Sequence, residues 1–179
     1  PAQRNDVAAQ HPEVVEQLRR QYVPFWKKIS PRMTPVPIDL GNPAQNPTEL
    51  CSQDWYLPKG NPPWNFRSIR KLPKETGPWM VNVQKAGRYA FTLRQWPEVA
   101  NKPLVAERAK VSIAGQEKEI FVPDGSKAVV IELNLPQGPT ELWTYLYDAN
   151  GKAGGAYFTN VEWREDDGSP LKTAVIPLP

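Results

Sequence analysis

The chain has one cysteine and one histidine, and these two residues limit the chemistry it can perform. A nucleophilic cysteine needs a base or positive surroundings to become a thiolate, and His11 lies in a separate N-terminal segment, so Cys51 reads as a small buried side chain rather than a nucleophile. A Ser-His-Asp arrangement would have to be assembled around the same histidine, whose place before Pro12 at a helix start suits capping instead. An internal disulfide is excluded, and a zinc site of Cys and His nearly so. The stretch "GKAGGA" has its lysine in the wrong place for a phosphate loop. Asp148-Ala149-Asn150-Gly151 opens like a calcium loop but lacks the later ligands and flanking helices, so both stretches read as turns. Glu117 and Glu119 share one face of a strand, where a solvated role is expected unless that face lines a cleft. No catalytic residue and no metal ligand is expected in this chain.

Two other groupings point toward binding. In "CSQDWYLPKGNPPWNFRSIRK", Trp55, Trp64, Arg67, Arg70 and Lys71 fall in a loop-rich stretch. Indole faces stack on sugar rings and guanidinium groups hold sulfate or carboxylate through paired hydrogen bonds, so an anionic carbohydrate suits both. The competing reading is that Trp55 and Trp64 plug the end of a β-sandwich. Trp143, Tyr145 and Tyr147 alternate along one strand face. They form either a sugar platform or a row packed beneath a covering loop or a neighbouring domain.

These residues must be positioned by two kinds of element. Residues 11–29 carry apolar side chains at Val15, Leu18, Tyr22, Phe25 or Trp26, and Ile29, one face of an amphipathic helix. Pro12, Glu13 and Glu16 suit its start and Lys27 and Lys28 its end, while Pro24 is expected to kink it or stop it early. From Gly77 onward the period changes to two, first in Trp79, Val81 and Val83, then in Tyr89, Phe91 and Leu93. Five further strand-like runs follow, separated by glycine-containing turns, which is the pattern of an antiparallel β-sandwich, jelly-roll-like or galactose-binding-like. The expected organisation is a linking helix over 1–30, a linker at 31–35, a sandwich over 36–165 and a tail over 166–179 that is either loose or docked as a last strand. With 22 basic and 19 acidic residues the net charge of +3 is too mild, and too dispersed, to argue for nucleic acid. No stretch approaches the roughly 18 apolar residues of a membrane span, and the start lacks the pattern of a signal peptide. A first residue of Pro1 is what a fragment of a longer protein would show.

The order of several segments resembles the C-terminal region of bacterial formylglycine-dependent sulfatases of the arylsulfatase type. They are "NDVAAQHPEVVEQLRRQY", "PIDLGNPAQNPTELCSQDW", "NPPWNFRSIR", "GPWMVNVQKAGRYAFTLRQWP" and "GAYFTNVEW". The resemblance implies a parent that hydrolyses sulfate esters with an oxidised Cys or Ser, assisted by calcium, in a catalytic domain that this chain lacks. Cys51 is followed by Ser-Gln-Asp and not by x-Pro-x-Arg, so it is not the converted residue. The resemblance further implies a periplasmic or secreted location and makes the sulfatase catalytic domain of the same parent the expected partner. This chain would be an accessory domain that packs on it and shapes its substrate cleft through Gln53, Asp54, Trp55, Trp64, Asn65 and Arg67. Gln53 stands where the family branch often has histidine. The alternative is an independent carbohydrate-binding module for sulfated polysaccharide.

Overall fold

The computed structural model describes residues 4–63, 65–70 and 75–177. The chain divides into two units, Pro1–Pro35 and Val36–Pro179.

The first unit is built on one helix, α1, Pro12–Ile29. Its start and end follow the sequence: Pro12 occupies the first turn with Glu13, and Lys27 and Lys28 lie in the last, so both ends complement the helix dipole. Of the two outcomes expected at Pro24, the early stop does not occur: the helix runs through it to Ile29. Pro24 has no N–H to give to the Arg20 carbonyl, and the helix continues past it without that bond. His11 takes the N-cap position, but its side chain makes no capping bond and lies 3.7 Å from Glu13. No helix among the described residues is long and apolar enough to cross a membrane.

The second unit is a β-sandwich, as its period-two patterning predicts. Its strands are β1 (Ile38–Leu40), β2 (Thr48–Cys51), β3 (Trp79–Val83), β4 (Gly87–Arg94), β5 (Arg108–Ile113), β6 (Gln116–Phe121), β7 (Ser126–Leu135), β8 (Gly138–Tyr147), β9 (Ala153–Gly154), β10 (Phe158–Arg164) and β11 (Thr173–Pro177). One sheet has the order β1-β3-β8-β5-β6, with β9 added to β8, and the other the order β11-β7-β4-β10-β2. Every pairing is antiparallel except β1 with β3. Alternate residues of each strand enter one core between the sheets: Trp79, Val81, Val111, Leu142 and Leu146 from the first, Tyr89, Phe91, Leu93, Ile131 and Val161 from the second. Burying this row of large side chains is the main stabilising term. At Gly41, φ is +76° and the Tyr89 hydroxyl occupies the space a Cβ would need, so the turn after β1 accepts only glycine.

Of the two states expected for the tail, docking is the one adopted. β11 pairs antiparallel with β7, so the sandwich extends beyond residue 165. A charged cluster on the outer face of the second sheet leads the chain there. Glu132, 2% exposed, accepts from Arg164 at 2.7 Å and from the Lys172 backbone N–H at 2.8 Å. Arg88 is also buried, 3.9 Å from Glu132, and bonds Asp166 at 3.1 Å, Asp167 at 3.2 Å, the Ser169 hydroxyl at 2.8 Å and the Ser169 carbonyl. The Asp167 carboxyl is lowered to about 2, first by hydrogen bonding from the Ser169 side chain and backbone, with Arg88 adding a smaller attraction. Its folded pKa lies below the ordinary value of 3.8, so its contribution is present above that value and fades as pH falls through about 2. Ser169→Ala is therefore expected to move the Asp167 titration upward, toward 3.8, in an NMR carboxyl titration. An unmoved titration would instead assign the shift to the Ser169 backbone N–H, which the substitution keeps, and to Arg88.

Candidate functional site

The loop-rich stretch after β2 is tied to the sheet edge by its own side chains. Phe158 of β10 faces Cys51 across the ladder, and the Cys51 carbonyl accepts from the Trp79 indole at 2.8 Å. The Ser52 hydroxyl donates to the Pro63 carbonyl at 3.0 Å, closing the loop back on its start. A short helix, α2 (Phe66–Arg70), follows, and Asn65 Oδ1 accepts from the Arg67 N–H at 3.0 Å at its beginning. The α2 end is held by fully buried Gln95, which donates to the Ile69 carbonyl at 2.8 Å and accepts from the Val105 N–H at 2.9 Å.

This arrangement leaves a groove of about 330 Å³ lined by Cys51, Ser52, Gln53, Pro63, Asn65, Phe66, Ile69 and Phe158. On the other side of the Cys51–Phe158 pair lies a second hollow of about 590 Å³, where Glu49, Asn160 and the Arg94–Glu98 ion pair (3.2 Å) contribute polar groups. In the first groove Ile69 is buried, Phe158 half-buried and Phe66 exposed at the edge, with the exposed Gln53 amide beside them and Asn65 Oδ1 already accepting from the Arg67 N–H.

The residues expected at a binding site separate here. Gln53 and Asn65 line the groove together. Asp54 and Arg67 are exposed beside it, as is Arg70. Asp54 Oδ2 accepts from the Cys51 thiol at 3.3 Å. Burial, reinforced by Asp54, pushes the Cys51 thiol pKa up, which favours the thiol over the thiolate. Trp55 is corrected outright. It is 3% exposed, edge-on to Trp79 (5.7 Å) and stacked on Tyr157 (5.9 Å), so it plugs the sandwich and has no face for a sugar. Trp64 and Lys71 lie outside the described residues. The sequence reading missed Phe66, Ile69, Phe158 and Arg94. Phe158 was legible as one side of an alternating strand, but its neighbour Cys51 is 107 positions away and only the β2–β10 pairing joins them.

Glu117 and Glu119 are solvated, as expected, and each is paired: Glu119 with Arg108 at 2.6 Å and Glu117 with Lys110 at 3.3 Å. In the 148–151 turn, Asp148 Oδ1 accepts from the Asn150 and Lys152 N–H groups, both at 2.9 Å, so its carboxylate closes a turn. Among the described residues, no three His, Cys, Asp or Glu side chains are grouped so as to hold a metal ion.

The molecule is thus a β-sandwich with an amide-lined groove at one sheet edge. No family model matches the sequence, and no curated protein matches it. Among solved structures, a ruminal GH26 endo-beta-1,4-mannanase is similar at 16% identity with a TM-score of 0.41. The likeness covers 66% of this chain and only 26% of that enzyme's.

Proposed function

We propose that the chain is the C-terminal accessory region of an arylsulfatase-like sulfuric ester hydrolase, packing on a catalytic domain of the same longer protein and lending its groove edge to the substrate cleft. The observation that carries this reading is the apolar stripe of α1. Leu18, Tyr22 and Phe25 share one side of the helix, and Tyr22 stacks on Trp26 at 6.0 Å. An amphipathic helix draws most of its stability from burial of such a stripe, which a catalytic domain of the longer protein would supply in this reading. In this reading formylglycine and calcium belong to that partner, and the present chain supplies recognition only. Gln53 and Asn65 would hydrogen-bond sugar hydroxyls, and the Arg67 guanidinium would meet a sulfate. With Trp55 in the core, the rim would work by polar contacts.

The test is hydrolysis of a chromogenic aryl sulfate and of a sulfated polysaccharide by the longer protein, with and without residues 36–179. Polysaccharide turnover is expected to fall by roughly tenfold or more, about 1.4 kcal/mol of transition-state binding, while aryl sulfate turnover survives. Unchanged turnover of both would sink the reading.

A further inference from the structure

The outer face of the first sheet carries a feature that the groove does not use. Trp143, Tyr145 and Tyr147, alternate residues of β8, are half-buried and nearly parallel, with centroids 6.3 and 6.1 Å apart and planes 5° and 27° from each other. Their neighbours across the β5 ladder are Ser112, Lys110 and Arg108. Lys110 lies 4.8 Å from the Tyr145 ring and Arg108 4.7 Å from the Tyr147 ring. These cations are held in turn by Glu117 and Glu119 on β6, and the Trp143 indole donates to Glu141 at 2.9 Å. The result is an aromatic row, a basic row and an acidic row side by side, each ring set in orientation by a charge or a hydrogen bond.

We propose that this face binds a linear, uncharged glycan along Trp143, Tyr145 and Tyr147. Three observations select that ligand. The ring spacing is close to the length of one pyranose unit, so successive sugars can each meet one aromatic ring. Lys110 and Arg108 cover one face each of Tyr145 and Tyr147, so the polarised C–H groups of a sugar would meet Trp143 and the opposite tyrosine faces, while the flanking Arg, Lys and Glu side chains meet its hydroxyls. The charges point the same way: Arg108 and Lys110 are opposed by Glu117, Glu119 and Glu141, so a sulfated or uronic chain would meet an excess of carboxylate. Trp143, whose neighbour on β5 is the small Ser112, is the anchor. Because the rings are already held, little side-chain freedom is lost on binding. This site is separate from the groove at Gln53 and does not depend on the sulfatase reading.

The experiment is electrophoresis of the full 179-residue chain through native gels containing hydroxyethylcellulose, xyloglucan or dextran sulfate. The wild type is expected to be retarded by at least one neutral glycan; any retardation by dextran sulfate belongs to the groove and the net charge of +3, and should survive Trp143→Ala. Trp143→Ala and Tyr145→Ala should each weaken the apparent affinity at least tenfold, whereas Lys127→Ala, on β7 of the other sheet, should leave it unchanged. Ser112→Arg, which keeps every ring and adds bulk beside Trp143, should give the same loss and covers the case of an alanine variant that fails to fold. No retardation of the wild type by either neutral glycan overturns the proposal. So does retardation by dextran sulfate alone, or neutral-glycan binding that a folded Trp143 or Ser112 variant leaves intact.

Discussion

Replacing Glu132 with alanine is expected to destabilise the sandwich by about 3 kcal/mol, because it strips a buried charge cluster of its central acid. In a domain of this size that corresponds to a fall in Tm of roughly 9 °C. Glu132 is 2% exposed and serves three donors: Arg164 at 2.7 Å, the Lys172 N–H at 2.8 Å and the more distant Arg88 at 3.9 Å. Arg164 is 42% exposed and returns to water at little cost once its partner is gone. Arg88 cannot do so at 6% exposure, although its bonds to Asp166, Asp167 and Ser169 persist and keep the loss below that of an unpaired buried ion. The Lys172 N–H loses its acceptor where the tail turns into β11, so the docked strand should loosen first. Denaturant unfolding measures the total, and hydrogen exchange at residues 172–177 measures the local effect. A change under about 1 kcal/mol would mean that β11 is held by its ladder and apolar contacts alone.

The second large effect is expected at Trp55. Trp55→Ala should cost about 4 kcal/mol, the range for removing a large aromatic side chain from a packed core. The ring fills the space between Trp79 and Tyr157, and Gly155 lies so close that a Cβ there would come within 2.5 Å of the indole. Gly155→Ala should therefore also destabilise, by about 1–3 kcal/mol through overpacking. Trp55→Phe should cost distinctly less than Trp55→Ala, because it keeps an aromatic ring and removes an indole N–H that is buried without a hydrogen-bond partner among the described residues. Thermal unfolding of the three variants would check this order. A Trp55→Ala protein that melts with the wild type would put the ring at the surface and reopen it as a ligand contact.

Some of this was legible in the residues themselves. The period of three and four in residues 12–29, and of two from Trp79 onward, reports directly which side chains share a face, since helix and strand geometry impose those repeats. The alternation of Trp143, Tyr145 and Tyr147 was visible in the same way. The upward push on the Cys51 thiol pKa comes instead from burial and Asp54, which its place in the sequence does not reveal. What alternation leaves open is which face is covered. β2 and α2 gave no clear signal, because four and five residues among prolines are too short for a period to emerge.

By itself, then, the sequence determined the β-sandwich and its leading helix, both of which follow from local patterning. Only the tertiary structure decided that Trp55 is core and Trp143 half-buried, that the tail docks on β7, and that Gln53, Asn65 and Phe158 border one groove. The reason is physical. Pairing between β2 and β10 joins residues more than a hundred positions apart, and burial depends on what the opposing sheet and the returning chain place over a side chain, which no local repeat encodes.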